Sequence, residues 1–141
     1  TILKKYGNEA RFIIDVKTKS LLHLKPAIKI AKIIKEFKLQ GSVIISSFNP
    51  LLLLFIKCID SKLLTGFIFI NPKYLRLTNL FHPDFLHPRG DIINKKVIHY
   101  SKRKNLPVNG WTVNNDLSGA WLSSAGVSGI ITDEILNFSE K

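Results

Sequence analysis

Short apolar runs that alternate with amphipathic segments indicate an α/β chain. Runs rich in β-branched or aromatic residues predict six strands, at Arg11–Lys17, Ser42–Ser47, Gly66–Ile70, Asp84–His87, Val108–Val113 and Gly129–Thr132. Helical spacing of apolar residues predicts helices at Leu22–Lys38, Leu51–Ile59, Ile92–Asn105 and Leu117–Ala125. Strands joined by helices imply a parallel sheet, so the fold is either doubly wound or part of a (β/α)8 barrel.

Residues with strong positional preferences mark the ends of these helices. Asn49 followed by Pro50 suits an N-cap and the first helical position. Asp91 and Asp116 are predicted to cap the next two helices, and Gly126 is predicted to end the last one. Pro72–Leu80 reads as irregular chain or a short helix.

The single cysteine, Cys58, lies in the helix predicted at Leu51–Ile59, which is apolar nearly all round. We therefore expect both the helix and the thiol to be buried. One cysteine excludes a disulfide framework or a cysteine-based zinc site built from this chain alone. The longest apolar run, Leu51–Ile56, is far too short to span a bilayer.

The net charge of +11 suggests an anionic partner, which could be a nucleic acid, an anionic membrane surface or a phosphate-bearing substrate. The abundance of Lys, Ile, Asn and Phe offers a competing reading, because an AT-rich genome produces the same composition. Aromatic residues are not interleaved with the basic ones and no recognition motif appears, so we expect no nucleic-acid partner.

Polar residues follow the predicted strands, where parallel α/β folds carry their chemistry. Asp15 and Lys17 stand two apart and face the same side of the first strand. A carboxylate beside an ammonium suits a divalent cation next to a phosphate, and a plain ion pair at the rim fits the same spacing. Further candidates at strand ends are Ser46, Ser47, Phe48, His87, Trp111, Thr112, Asn114, Thr132 and Asp133.

These further candidates also have ordinary structural readings. Trp111 fits core packing, and Asn114 with Asn115 fits turn chemistry. The segment HPRG at His87–Gly90 reads either as a basic anion-binding turn or as a proline turn before a helix. Ser46 lacks a nucleophile-elbow pattern around it.

Several segments, taken in order, resemble the motifs of the glycerophosphodiester phosphodiesterase family. They are FIIDVK, VIISSFNP, TGFIFI, the His87-Pro88 step, VNGWTVNN and GVSGIITD, and they extend from about Ala10 to Glu134. WTVN and GIITD together are fairly specific, although either alone is weak. The resemblance implies a (β/α)8 barrel that hydrolyses glycerophosphodiesters to an alcohol and glycerol 3-phosphate, usually with a divalent cation, Mg²⁺ or Ca²⁺.

The resemblance also implies roles for individual residues. Asp15 stands where the family has a metal-binding Glu, and Lys17 matches the Lys that contacts the phosphate. Trp111 matches a Trp that lines the substrate pocket, while Ser47 and Phe48 match a Ser-Phe pair near that pocket. Asp15 in place of Glu shortens the carboxylate's reach by one methylene.

The resemblance is partial. Ser128 replaces a usual Asp, and Glu134 stands before Ile135, where Pro is common. The family's early segment, with its His-Arg-Gly strand, Glu-x-Asp ligands and acid/base histidines, has no counterpart, so we expect no catalytic residue in this chain. A complete barrel takes about 250 residues, against 141 here. The chain also lacks Met and starts at Thr1, which suggests a processed chain or, in preference, a piece of something longer.

We therefore expect residues 1–141 to be a single partial barrel domain that supplies strands three to eight and is inactive alone. Its expected partners are the glycerophosphodiester substrate and the missing N-terminal barrel segment. The alternative is a degenerate, non-catalytic remnant that binds anionic phosphate or membrane surfaces through the basic helix Leu22–Lys38. We expect a cytoplasmic or membrane-peripheral location, with peripheral membrane contact.

Overall fold

The computed structural model describes residues 2–7 and 9–137 of the protein. The strands are β1 (Phe12–Asp15), β2 (Val43–Ser47), β3 (Leu64–Phe69), β4 (Phe85–Pro88), β5 (Asn109–Gly110) and β6 (Gly129–Ile130). The α-helices are α1 (Ile2–Tyr6), α2 (Lys25–Glu36), α3 (Pro50–Ile59), α4 (Thr78–Phe81), α5 (Lys95–Lys104) and α6 (Asp116–Ala125). The chain divides into a first unit, residues up to 67 with 77–84, and a second unit, residues 68–76 with those from 85 onward.

In the first unit, β1 pairs in parallel with β2, and β2 pairs in parallel with β3. Helices α2 and α3 connect these strands in turn and pack on each other. Their inward faces and the alternate residues of β2 form the core, whose fully buried members include Ala27, Ala31, Ile34, Val43, Ile45, Leu52, Leu53 and Ile56. Burial of this apolar surface is the main force that holds the unit together.

In the second unit, parallel bridges join the β4 region to the segment that contains β5, at Leu86 with Val108 and at Arg89 with Trp111. Strands β5 and β6 also pair in parallel. The ladder continues beyond them, because the Val113 amide donates to the carbonyl of Ile131 at 3.0 Å. The predicted α/β order with parallel strands is therefore confirmed, although the regular part of the Val108–Val113 run is only two residues long.

Three predicted helix starts are wrong by one to three residues. Helix α2 begins at Lys25 rather than Leu22, because Pro26 lacks an amide proton and is tolerated only in a first turn. Asn94, rather than Asp91, caps α5, and its side chain accepts from two backbone amides. Asn115, rather than Asp116, caps α6.

The predicted start of α3 and the predicted end of α6 are confirmed, whereas α2 ends at Glu36 rather than Lys38. Asn49 caps α3 by accepting from the amides of Leu51 and Leu52, and Pro50 follows in the first turn. Gly126 ends α6 with a φ of 89°, a left-handed backbone conformation that a glycine adopts at little cost. The Pro72–Leu80 segment forms a 3₁₀ turn at Pro72–Leu77 that leads into α4.

The expected burial of Cys58 is wrong, since this residue is exposed. Helix α3 buries Leu52, Leu53 and Ile56 and leaves Leu51 and Leu54 at 41% and 40% exposed. A helix that packs along one stripe must leave the opposite stripe outside whatever its composition, and Cys58 lies four residues after Leu54 on that outer stripe. Within the described residues, no helix is long and apolar enough to cross a membrane.

Candidate active site

The first group of candidate residues lies at the carboxyl end of β1. Asp15 is the last residue of this strand, and the Nζ of Lys17 lies 2.8 Å from its Oδ2. The side chains are 40% and 80% exposed respectively, so water solvates both members of the pair. A solvated ion pair contributes little to stability. The arrangement therefore presents a carboxylate and an ammonium at the surface, where both can reach a ligand.

The segment that follows β1 is held by residues at the end of β2. Ser47 is 1% exposed, and its Oγ donates a hydrogen bond of 2.7 Å to the carbonyl of Val16, the residue between Asp15 and Lys17. The same Oγ accepts from the amide of Asn49 at 3.1 Å. The buried hydroxyl thus fixes the backbone that carries the ion pair. This link between two distant strand ends is not visible in the sequence.

Asn49 extends this anchor further along the loop. While its Oδ1 caps α3, its Nδ2 donates to the carbonyl of Leu21 at 3.0 Å and to Oγ1 of Thr18 at 3.2 Å. One 3% exposed side chain thereby joins the start of a helix to the loop after β1. The sequence identified Asn49 as a cap, but nothing in the sequence indicated this second function.

Phe48 lies between the two buried anchors and is 47% exposed. The chain bends at this residue, which follows the last residue of β2. Because Ser47 and Asn49 point inward, the ring of Phe48 is presented on the outside at a strand end. Phe48 directly follows β2, the strand that pairs with β1. Asp15 lies at the carboxyl end of β1.

The candidate residue of the second unit, Trp111, is anchored to the β4 segment. Its Nε1 donates a hydrogen bond of 2.7 Å to the carbonyl of His87. The ring Nε2 of His87 lies 3.1 Å from Nδ2 of Asn109, and both residues are buried. Room for this amide comes from Gly129, where an added Cβ would stand 2.6 Å from Oδ1 of Asn109. The indole is thus fixed by a buried polar network.

A second polar network joins the two most family-like motifs of the sequence. Oδ1 of Asn114 accepts from the amide of Asp133 at 3.0 Å, and its Nδ2 donates to Oδ2 of Asp133 at 3.3 Å. Oγ1 of Thr132 lies 3.3 Å from Oδ1 of Asn114. Asn114 therefore ties the WTVN segment to the IITD segment. The sequence offered Asn114 as a strand-end candidate or as turn chemistry, and the contact with Asp133 was not predicted, although the pairing of these motifs was the available signal.

The HPRG turn forms an internal ion pair. Arg89 donates twice to the carboxylate of Asp91, at 2.6 Å from Nε and 2.8 Å from Nη2. These hydrogen bonds lower the pKa of Asp91 below its ordinary value and raise the pKa of Arg89. Because the guanidinium fork is already occupied by a neighbouring carboxylate, the proline-turn reading describes HPRG better than the anion-binding one.

A divalent cation would need more ligands than the described part of the chain assembles. Ca²⁺ takes about six to eight oxygen ligands, and Mg²⁺ prefers an octahedral set of about six. Among residues 2–7 and 9–137, no group of three or more His, Cys, Asp or Glu side chains could hold a metal ion. Asp15 contributes a single carboxylate and already contacts Lys17. The described residues therefore do not fit a complete metal centre.

The fold and these strand ends define the class of the protein. It is an α/β protein with parallel strands that carries its candidate polar and aromatic residues at the carboxyl strand ends. A sequence profile of the glycerophosphoryl diester phosphodiesterase family matches residues 2–137, and the chain belongs to this family.

Individual relatives agree with the family assignment. A glycerophosphodiester phosphodiesterase from Caldanaerobacter subterraneus subsp. tengcongensis is 31% identical over 129 residues, which cover 87% of this chain and 52% of that protein. A phosphodiesterase from Oleispira antarctica, solved in complex with the product sn-glycerol-3-phosphate, superposes with a TM-score of 0.80 at 16% identity. This match covers 94% of the present chain and 54% of the Oleispira one.

A glycerophosphodiester phosphodiesterase structure from Parabacteroides distasonis gives a TM-score of 0.76 at 17% identity, covering 92% of this chain and 56% of that one. The structural matches share the fold of this chain at low sequence identity. The chain spans about half the length of the relatives that it matches.

Proposed function

We propose that this chain is part of a glycerophosphodiester phosphodiesterase, an enzyme that hydrolyses glycerophosphodiesters to an alcohol and glycerol 3-phosphate. The observation that carries the proposal is the exposed Asp15–Lys17 pair at the carboxyl end of β1 in a chain of this family. The product bound to the Oleispira antarctica protein, sn-glycerol-3-phosphate, is the product expected here and supports the proposal.

Lys17 would stabilise the charge of the phosphodiester. Its ammonium has three N–H donors, of which Asp15 takes one, and its side chain extends 80% exposed from a loop that Ser47 anchors. Negative charge on the phosphoryl oxygens must be balanced as the bond to the leaving alcohol breaks. A cation placed beforehand in the correct position lowers that barrier without any rearrangement.

Asp15 would contribute one oxygen to a Mg²⁺ or Ca²⁺ ion whose remaining ligands come from outside this chain. A single carboxylate beside an ammonium holds a cation weakly, so the chain alone is expected to bind either metal only in the millimolar range or weaker. Calorimetric titration of the chain with Mg²⁺ and Ca²⁺ tests this point. Micromolar binding that Asp15→Asn abolishes would contradict it.

The remaining candidates would each have a role within their own unit. Trp111 would form an apolar wall, and its hydrogen bond to the His87 carbonyl fixes the indole before substrate arrives. The exposed ring of Phe48 would contact the carbon skeleton of the substrate. The hydroxyl proton of Ser47 is already used in the hydrogen bond to the carbonyl of Val16. The contribution of Ser47 to binding is therefore to hold the loop that carries Lys17.

We also propose that the chain supplies strands three to eight of a (β/α)8 barrel, with the acid/base histidines in a segment outside these residues. Two observations support this. The chain spans about half of its relatives, and among the described residues β1 pairs with β2 alone, with Ile13 at 44% exposed. An apolar, unpaired strand edge is normally covered in a complete protein.

Substitution of Lys17 tests the proposal directly in the complete enzyme that contains this chain. Lys17→Ala should lower kcat/KM for glycerophosphocholine by at least about a hundredfold. The matched control is Lys19→Ala, which removes an exposed cation from the same loop and should change kcat/KM by less than about twofold. Near-wild-type turnover of Lys17→Ala would reject the assigned role.

The chain alone provides a separate test of the missing histidines. With Mg²⁺ or Ca²⁺ and glycerophosphocholine, the purified 141-residue protein should show no turnover above buffer. Robust hydrolysis by this chain would disprove the proposal that the acid/base residues lie elsewhere.

A further inference from the structure

A surface on α5 and α6 concentrates cations beside exposed apolar side chains. We call it the α5–α6 surface and define it by the following residues: Lys95, Lys96, His99, Lys102, Arg103, Leu117 and Trp121. All of these lie in the second unit, on helices that the proposed catalytic roles do not use. All seven residues are exposed.

The members of the surface adjoin one another. Lys95, His99, Lys102 and Trp121 line one groove of about 380 Å³, together with Ser124. Lys95 and His99 also line a neighbouring depression with Lys96, Tyr100 and Arg103. Leu117 and Trp121 border a third depression on the other side. Shared lining residues therefore connect the cations of α5 to the apolar residues of α6.

The charge on α5 is of one sign. The helix sequence KKVIHYSKRK contains five Lys or Arg residues and no carboxylate. Two acidic residues stand at the starts of this region, Asp91 before α5 and Asp116 as the first residue of α6, and both are otherwise engaged. Asp91 is held by Arg89, and Asp116 accepts a hydrogen bond of 2.8 Å from the amide of Asn137.

Two of these cations stand where the fold itself does not favour them. Lys95 and Lys96 begin α5, at the positive end of the helix dipole. A cation in a first turn is unfavourable, whereas one in a last turn is favourable. The stability of α5 therefore does not explain why two lysines occupy its first turn. Binding to a negatively charged partner does explain their presence.

The apolar part of the surface matches a bilayer interface. Leu117 and Trp121 are four residues apart on α6, so they share a face, and they are 85% and 53% exposed. Tryptophan is favoured at membrane interfaces because its ring is apolar and its N–H is polar. Transfer of an exposed leucine side chain out of water lowers the free energy, and the acyl-chain region of a bilayer permits that transfer.

We propose that the α5–α6 surface docks on an anionic phospholipid bilayer. Leu117 and Trp121 would enter the headgroup boundary, while the cations of α5 contact the lipid phosphates and carboxylates. A nucleic acid would also attract the cations, but the outer surface of a duplex is its phosphate backbone, which gives Leu117 no apolar layer to enter. The proposal concerns where the protein binds and does not depend on the proposed hydrolytic function.

Helix α2 provides an internal control. It also exposes lysines, at Lys25, Lys29 and Lys32, but it carries Glu36 and has no aromatic residue among its twelve. If net charge alone caused binding, removal of the same number of cations from α2 or from α5 would weaken vesicle binding equally.

The test is co-sedimentation of the full chain with vesicles of phosphatidylcholine containing about one-third phosphatidylserine. Each cation at an anionic surface contributes about fivefold to partitioning, so Lys95→Gln, Lys96→Gln and Arg103→Gln together should weaken it on the order of a hundredfold. The matched variant Lys25→Gln, Lys29→Gln, Lys32→Gln should weaken it by less than about tenfold, through screened long-range attraction alone. Equal losses of vesicle binding in the two triple variants would overturn the proposal. Binding to pure phosphatidylcholine vesicles as strong as that to the anionic vesicles would also overturn it.

Tryptophan fluorescence supplies a second readout that does not require a multiple variant to fold. Trp111 and Trp121 are the two tryptophans of the chain. Vesicles whose acyl chains carry bromine should quench part of the emission of the wild type, and Trp121→Phe should abolish that quenching. Quenching that persists in Trp121→Phe would place the contact elsewhere. Binding of duplex DNA or RNA with an affinity equal to that for the vesicles would also overturn the bilayer assignment.

Discussion

Each unit has an ion pair at the end of a strand, between residues two apart in sequence. The two pairs differ in the hydrogen-bond donors that they leave for a ligand. Asp15 and Lys17 meet through one contact of 2.8 Å after β1. Arg89 and Asp91 meet through two contacts after β4. An ammonium keeps further donors when one is used, whereas a guanidinium fork matched to a carboxylate is occupied by it. The first pair is therefore suited to bind a ligand and the second to stabilise its own turn.

The two regions also differ in how they are anchored. Buried Asn49 and Ser47 hold the loop that carries the Asp15–Lys17 pair, while the exposed charges themselves hold nothing else. In the second unit, the aromatic candidate Trp111 is itself hydrogen-bonded to the β4 segment. One region thus keeps its charges exposed to water on an anchored backbone, and the other anchors the side chain directly.

The largest expected effect comes from the anchor of the first region. Asn49→Ala removes the cap of α3 and the amide donors to the loop, and should lower the free energy of unfolding by about 3 kcal/mol. Urea denaturation of the purified chain measures it. Asn49→Asp is the matched control, because it keeps the capping oxygen and loses only the donors, so it should cost about half as much. Equal losses for the two variants would show that the donated hydrogen bonds alone matter and that the cap contributes nothing.

In the second region, Gly129→Ala should cost about 2 kcal/mol. The new Cβ would stand 2.6 Å from Oδ1 of Asn109, whose side chain is held against His87 and cannot easily move. Gly41→Ala is the control, because no atom lies within 4 Å of the added carbon and no change beyond about 0.5 kcal/mol is expected. In an Asn109→Ala background, the cost of Gly129→Ala should shrink, and full additivity would contradict the proposed clash.

A smaller effect is expected from the exposed pair of the first region. Asp15→Asn and Lys17→Gln should each change the free energy of unfolding by less than about 0.5 kcal/mol, because water solvates both side chains. Urea denaturation of the two single variants and the double variant gives their coupling energy. A coupling above about 1 kcal/mol would mean that the pair is structural. The contrast between the Asp15–Lys17 pair and the Arg89–Asp91 pair would then fail.

The smallest effect is a pH dependence at the second pair. Hydrogen bonds from Arg89 lower the pKa of Asp91, so the folded state favours the ionised carboxylate. The resulting stabilisation is present above the ordinary pKa of Asp and disappears as the pH falls through the lowered value. The melting temperature of the wild type should therefore exceed that of Asp91→Asn at about pH 7, and the difference should vanish near pH 2. In an Arg89→Gln background the difference should be absent at both pH values.

The sequence alone determined the order and type of the main elements. Periodic apolar residues located the strands and the principal helices, and Asn49 and Gly126 marked two helix ends correctly because capping depends on local chemistry. The motifs around Trp111 and Ile131 identified the family, because they preserve residue types in a fixed order. Asp15 and Lys17 were predicted to share a side, and their contact confirms this geometry.

Tertiary structure decided everything that depends on a partner distant in sequence. Only the fold brings Ser47 to the carbonyl of Val16, Trp111 to that of His87, and Asn114 to Asp133. Packing direction, rather than composition, left Cys58 on the outer stripe of α3. The contiguity of the α5–α6 surface likewise required two helices to lie side by side. Local patterns specify elements, whereas long-range contacts decide which faces, anchors and charges come together.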